Sequence, residues 1–333
     1  MTNVQRWTGR EAAALRAALR LSLREFAAYL GVSQRIVSQW ERLNAATVPR
    51  PHMQQILDTA LAQADESQRQ RFESLLGGAS SSGALEAAER VSTALDAGRT
   101  DPAAVDAVSS VLAGLRRLED ATSAADVLPS VQHQAAVASK LADHARADVR
   151  GEAVGLVSEL EQYLGWLAIP MQRWDDARHH FDRAAVLAFE VDDPQRLASA
   201  LSFSAYRCLL TGQLRQAEAL NRAAARDTRT DPGLRAYMAF QRAEVLAHDD
   251  DHRAALDALA EAETSLERID VDELPTSSYW YTPAVLLGHK GFVLAALGDI
   301  AAARRAAAES LEAMPAEWAA SEWAAQHRQL AER

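Results

Sequence analysis

The chain has 333 residues, a net charge of −11 and an apolar content of 48%, in which alanine and leucine predominate. This length exceeds one ordinary domain and the composition favours helix, so we expect two helical domains or a helical repeat array. The single cysteine, Cys208, excludes an internal disulfide framework. Without a leader or an apolar run of about 18 residues, the sequence predicts a cytoplasmic protein that makes no membrane contact.

The charge is distributed unevenly along the chain. Residues 1–58 contain eight arginines and four acidic residues, a balance of +4, and the remainder therefore carries −15. A basic head on an acidic body is expected when only the head meets nucleic acid.

The first predicted helices are opened by capping boxes, Thr8 with Glu11 and Ser22 with Glu25. Gly31 ends the second helix, because glycine adopts the left-handed conformation without strain. The residues expected to face the core are Leu15, Leu19, Phe26, Ala27 and Leu30.

A third helix is predicted to follow Ser33 as its N-cap, with Val37 and Trp40 turned inward. Pro51 then suits the first turn of a fourth helix. Its apolar residues are Met53, Ile56, Leu57 and Leu61.

Residues 8–62 resemble the lambda-repressor-like (Cro-type, xenobiotic-response) helix-turn-helix family. The resemblance lies in the short turn around Gly31, the small Ala27, the turn residue Val32 and the Trp40-Glu41 pair. The resemblance implies binding to double-stranded DNA. One departure is Leu23, where the family usually has a glutamine that touches phosphate. That contact would pass to Arg24 or to backbone N–H groups at the helix start.

The resemblance also implies which side chains of the third helix read bases: Gln34, Arg35, Ser38 and Gln39. Arginine pairs with guanine and glutamine with adenine in the major groove. Ile36 either touches a thymine methyl group or packs. The expected phosphate contacts are Arg20, Arg24 and Arg42. The alternative is a helix-turn-helix fold that is used for protein contact.

Residues 77–83 lack large and charged side chains and are predicted to be a flexible linker. They would separate a DNA-binding domain, residues 1–76, from connecting helices over 84–146 and a repeat domain over 147–333. The fold class predicted is therefore all-α.

Small residues recur at fixed spacings in the repeat region. A reference alanine is found at Ala177, Ala217, Ala255 and Ala303; twelve residues earlier stand Gly165, Ala205, Ala243 and Gly291; seven residues later stand Ala184, Ala224, Ala262 and Ser310. Five residues before each alanine, a polar turn holds Gln172, Gly212, Asp250 or Gly298. Closely packed helix pairs need small residues at such positions.

This pattern resembles the tetratricopeptide repeat, which implies a curved solenoid. The family's large aromatic residue at the fourth position is missing, and the spacings of 40, 38 and 48 exceed the usual 34. The alternative is a coincidence of alanine-rich helices.

The family's inward-facing positions imply a groove that binds an effector or partner. Its predicted residues are Gln162, Trp166, Ser202, Tyr206, Tyr237, Phe240, Glu244 and Phe292, together with Glu159, Ser199, Val285 and Gly288. The recurring aromatic rings suit an apolar or amphipathic ligand. Alternatively, individual rings pack between repeats.

No sequence motif of an enzyme is present, and we expect no cofactor. His248 and His252 flank three aspartates on a predicted turn, where a solvated surface is favoured over a metal site. The sequence thus predicts a dimeric transcription regulator whose repeat domain binds a small-molecule, peptide or protein effector. The alternative is a protein–protein interaction scaffold that the helix-turn-helix tethers to DNA.

Overall fold

The computed structural model describes residues 4, 6–43, 47–271 and 274–333, and the regular structure of these residues is entirely helical. The chain divides into two compact units, Met1–Glu89 and Arg90–Arg333. The all-α expectation is confirmed. None of the described helices is long and apolar enough to cross a bilayer.

The first unit is built from short helices: α1 (Gly9–Ala18), α2 (Leu23–Leu30), α3 (Gln34–Leu43), α4 (Pro51–Gln63) and the beginning of α5 (Glu66–Asp96). Both predicted capping boxes form, Thr8 with Glu11 and Ser22 with Glu25. Gly31 adopts a left-handed conformation with φ of 70°. The local signals therefore predicted where α1 and α2 begin and where α2 ends.

The core of the first unit lies between α1, α2, α3 and α4. Its buried side chains include Leu15, Phe26, Ala27, Leu30, Val37, Trp40, Leu57 and Leu61. Two fully buried aromatic residues, Trp7 and Phe72, were not anticipated from the sequence; their ring centroids lie 5.8 Å apart. The indole Nε1 of Trp7 also donates to Asp58 at 2.7 Å, which ties the N-terminal segment to α4.

Residues 77–83 are helical, although the sequence predicts a flexible linker there. Helix α5 runs without interruption from Glu66 to Asp96, and the side chains of residues 73–84 lie outside the described residues. Gly77, Gly78 and Gly83 each disfavour helix by about 1 kcal/mol relative to alanine, and the stronger helix formers on both sides favour its continuation. The division between the compact units follows Glu89 rather than residue 83.

The second unit is a succession of helices, many of which begin with proline: α6 (Pro102–Ala121), α7 (Ala124–His144), α8 (Ala147–Ala168), α9 (Trp174–Glu190), α10 (Pro194–Leu210), α11 (Leu214–Ala224), α12 (Pro232–His248), α13 (His252–Leu266), a 3-10 turn (Thr276–Ser278), α14 (Pro283–Ala296), α15 (Ile300–Ala313), α16 (Ala316–Ala320) and α17 (Ala325–Glu332). The helices predicted as a connection, α6 and α7, share one hydrophobic core with α8. They therefore belong to the body of this unit, which begins well before residue 147.

Four helix pairs pack together in sequence order, namely α8 with α9, α10 with α11, α12 with α13 and α14 with α15. Each pair is joined by the same turn, whose residues Gln172, Gly212, Asp250 and Gly298 have φ of 55°, 73°, 60° and 88°. In each turn the next residue donates its N–H to a carbonyl five residues earlier, as Arg173 does to Ala168 at 3.0 Å. The positions aligned in the sequence are thus structurally equivalent.

The small residues at the aligned positions lie where the helices of a pair approach closely. Ala177, Ala217, Ala255 and Ala303 have no exposed surface. Gly165 shows how little space remains, because a Cβ atom placed there would come within 2.4 Å of the buried ring of Phe181.

We therefore expect Gly165→Ala to destabilise the second unit by about 1–3 kcal/mol, since the ring of Phe181 cannot move away freely. Gly151→Ala is the matched control on α8, because a Cβ atom at Gly151 meets no atom within 4 Å. Alanine has the higher helix propensity, so the control should stabilise by up to about 1 kcal/mol. Chemical denaturation measures both changes, and equal effects would contradict the close packing.

Candidate functional site

Helix α3 exposes a polar face above a buried apolar one. Val37 and Trp40 are 1% and 6% exposed and belong to the core. All four residues implied to read bases are exposed: Gln34, Arg35, Ser38 and Gln39. Ile36, for which two roles were open, is 39% exposed.

The arginines of the first unit fall into two groups. Arg16 of α1 is engaged, because its Nε pairs with Glu41 of α3 at 2.5 Å and its NH1 donates to the carbonyl of Leu21 at 2.7 Å. Arg20, Arg24 and Arg35 are exposed, and no described residue forms an ion pair with them. The side chain of Arg42 lies outside the described residues.

The second unit contains an aromatic-lined pocket with about 860 Å³ of empty space, a volume that includes open solvent. Its wall comes from α6, α8, α10, α12, α14, α17 and the segment around the 3-10 turn. Aromatic side chains dominate the wall: Tyr163, Trp166, Phe203, Tyr206, Tyr237, Tyr279, Trp280, Tyr281, Phe292 and Trp323, with the imidazoles of His289 and His327. An aromatic lining with a few polar groups suits a small organic molecule.

The C-terminal segment packs against the end of α6 and forms part of the pocket wall. The carboxyl group of Asp120 accepts hydrogen bonds from the hydroxyl of Tyr279 at 2.9 Å and from Nε1 of Trp323 at 3.0 Å. Nearby, the N–H of Ala124 donates to Glu322 at 2.8 Å. These contacts form one side of the pocket wall.

A second carboxyl group, that of Glu119, lies beside Asp120 in the wall. It accepts from the hydroxyl of Tyr163 and from Nε1 of Trp166, both at 2.9 Å. Burial raises the pKa of Glu119 to about 7, against the lowering effect of these two donors. Burial also raises the pKa of Asp120.

The arginine in the cavity wall is already paired. Arg116 contacts Glu159 at 2.7 Å, and Arg196 approaches the other oxygen of Glu159 at 2.9 Å. Burial opposes ionisation of Glu159, but the two guanidinium groups outweigh it and hold its pKa below the ordinary value. This buried ion cluster joins α6, α8 and α10.

Two histidines of the wall are held neutral. Burial lowers the pKa of His289 to about 3 and that of His327 to about 4. His327 is 4% exposed and neither ring nitrogen makes a hydrogen bond of normal geometry; the Val285 backbone is the polar group beside it. Gly288 leaves room for this ring, since a Cβ atom there would overlap it at 1.9 Å.

The predicted groove residues divide between the cavity and the packing around it. Those that line the cavity are Gln162, Trp166, Tyr206, Tyr237 and Phe292, with Ser199 and Val285. Ser202 and Phe240 have no exposed surface and pack between helices. Glu244 is half-buried beside the phenol groups of Tyr206 and Tyr237, and burial raises its pKa to about 8.

Sequence reasoning missed the wall formed by α6 and by the residues after α13. Glu119 and Asp120 lie in helices predicted only to connect the domains, while Tyr279, Trp280 and Trp323 lie outside the repeat pattern. The available signal was the concentration of tryptophan and tyrosine after residue 278.

Metal-ligating side chains do not gather at the turn between α12 and α13. His252 Nε2 and Asp250 Oδ1 are 4.0 Å apart and both side chains are exposed. Among the residues that the structure describes, no group of three or more His, Cys, Asp or Glu side chains is arranged to hold a metal.

No family model matches the chain, and no curated protein matches it. Among solved structures, the crystal structure of BtubC (BKLC) from P. vanneervenii is 19% identical, with 63% of this chain and 87% of that chain covered. Its TM-score of 0.43 is too low to support an inference about fold or function.

The raised pKa of Glu119 makes the stability of the second unit depend on pH. The folded state holds this proton more tightly than the unfolded state, so the stabilisation is lost as pH rises from the ordinary value of 4.5 through about 7. The substitution Glu119→Gln removes the titrating carboxyl group and with it this pH-dependent loss of stability. We expect the stability of the variant, relative to wild type, to increase between about pH 5 and about pH 8 in denaturation followed by tryptophan fluorescence. The same difference at both pH values would contradict this assignment.

Proposed function

We propose that the chain is a sequence-specific transcription regulator, in which the first unit binds double-stranded DNA and the second unit binds a small-molecule effector. The observation that carries the proposal is the exposed polar face of α3 over the buried Val37 and Trp40. A helix that is fixed by one face and offers arginine and glutamine on the other is suited to the major groove.

The connection between α2 and α3 supports a helix-turn-helix function. The left-handed Gly31 gives a turn short enough to hold the two helices against each other, and Ala27 is buried in their shared core. The ion pair between Arg16 and Glu41 further fixes α3 against α1. In this function α3 enters the groove as a rigid element.

Exposed arginines next to α3 support contact with the DNA backbone. Arg20 and Arg24 have no ion-pair partner among the described residues and are free to meet phosphate. Leu23, which replaces the family's glutamine, packs partly against the core. In this function the phosphate contact passes to Arg24 or to backbone N–H groups at the start of α2.

A single recognition helix buries little surface, so we propose a dimer that binds two half-sites about 34 Å apart. The effector would act by preferring one arrangement of the two DNA-binding units. The four equivalent turns of the second unit support the tetratricopeptide-like interpretation. The wall made by Asp120, Tyr279 and Trp323 favours a small molecule over an extended polypeptide, and so favours the sensor over the scaffold.

Selection from random duplex DNA by the full chain tests the DNA-binding function. We expect the wild type to enrich one sequence motif. Arg35→Ala should weaken binding to that motif by about 1–3 kcal/mol and relax the preference at one base pair, because a bidentate contact to guanine is lost.

Arg24→Ala is the matched comparison on α2. It should weaken binding to all sequences by a similar factor and lower the salt dependence of binding, because only a phosphate contact is lost. The DNA-binding function is wrong if the full chain enriches no motif. The placement of α3 is wrong if Arg35→Ala selects the wild-type motif with unchanged affinity.

A further inference from the structure

We propose that the cavity of the second unit binds an aromatic organic cation. The inference rests on the effector-binding role proposed for this cavity and names the chemical class of the effector. It is carried by two adjacent carboxyl groups, Glu119 and Asp120, set in a wall of aromatic rings whose lining arginine among the described residues, Arg116, is already bound to Glu159.

The charges of the wall do not cancel. Arg116 is the lining arginine among the described residues, and Glu159 already binds its guanidinium group at 2.7 Å. Arg117, which also acts on Asp120, has an exposed side chain and is therefore screened by solvent. The two buried histidines are neutral. When Glu119 and Asp120 are ionised, the cavity therefore has an excess of negative charge that a bound cation would balance.

Neutral donors hold both carboxyl groups in place. Each of the four carboxyl oxygens of Glu119 and Asp120 accepts a hydrogen bond from an indole N–H or a phenol hydroxyl. An indole N–H can only donate, so this arrangement favours the ionised form of each carboxyl group. The donors stabilise the negative charge without removing it, which leaves the charge available to a ligand.

The aromatic lining supplies the second half of the recognition. The ring centroids of Trp166 and Phe203 are 5.6 Å apart, those of Phe203 and Tyr237 are 5.9 Å apart, and those of Tyr237 and Trp280 are 5.3 Å apart. Phe203 and Tyr237 are buried within this cluster, whereas Trp166, Tyr206 and Trp280 are only partly buried. The negative potential of aromatic ring faces attracts organic cations.

Three probes of similar shape separate charge from apolar contact. N-methylquinolinium is the cation, 1-methylnaphthalene is its neutral counterpart and 1-naphthoate is the anion. Equilibrium dialysis with the full chain at about pH 8, where Glu119 is mostly ionised, should show the cation bound at least about tenfold more tightly than the neutral probe. The anion should bind most weakly.

Two variants locate the effect. Glu119→Gln and Asp120→Asn should each weaken binding of the cation by about tenfold and leave the neutral probe nearly unchanged. Glu161→Gln is the control, because Glu161 is a buried carboxylate of α8 that pairs with Arg183 at 2.9 Å outside the cavity. It should bind all three probes as the wild type does.

The affinity for the cation should also increase from about pH 6 to about pH 8, as Glu119 with its pKa of about 7 loses its proton. The neutral probe should show no such change. The titratable and charged groups around Glu119 are Asp120, Arg116 and Arg117 of α6, Tyr163 of α8, Tyr279 after the 3-10 turn, and Glu322 and His327 near the C-terminus. Both cavity histidines remain neutral over this range.

Binding of the cation and of the neutral probe to the wild-type chain decides the proposal, even where a variant does not fold. Equal or tighter binding of the neutral probe, or no binding of the cation, overturns it. The DNA selection is independent of this result. An enriched motif without cation binding refutes the cation and retains the regulator, whereas cation binding without an enriched motif refutes the regulator and retains the cation site.

Discussion

The carboxyl group of Asp120 joins the beginning of the second unit to its end. Its two hydrogen-bond donors, Tyr279 and Trp323, are 159 and 203 residues further along the chain. Burial of a carboxyl group is unfavourable unless donors surround it, so the contact is specific for the two side chains that reach it. The cavity, its acidic lining and the proposed ligand all depend on this contact.

The partner of each arginine decides what that arginine can do. Arg16 and Arg116 are bound to glutamates of neighbouring helices, and both stabilise the packing of those helices. Arg24 and Arg35 are exposed, and no described residue pairs with them. Arginine content alone therefore does not define a DNA-binding surface. The distinction also explains how a chain with a net charge of −11 can present a basic face.

Local patterns predicted the helices of the first unit and the repeated turns of the second. Capping boxes, glycines and small residues act over a few positions, so the sequence displays them directly, as at Ser22, Gly31 and Ala177. The cavity wall was only half predicted, because the contact between Asp120 and Trp323 leaves no periodic trace in the sequence. The helical continuation through residues 77–83 was missed for a different reason, since small residues are compatible with both linker and helix.

The four turns between paired helices are alike in shape but not in conformational cost. Gly212 and Gly298 adopt positive φ freely, whereas Gln172 and Asp250 have side chains and the same backbone conformation. A left-handed conformation costs an ordinary residue roughly 1–2 kcal/mol, whereas aspartate tolerates it better because its short polar side chain can hydrogen-bond locally. The first helix pair, with Gln172, therefore contains the most strained of the four turns. Local opening of the amides, as deuterium exchange reports it, is expected to be easier at this hairpin end than at the glycine turns.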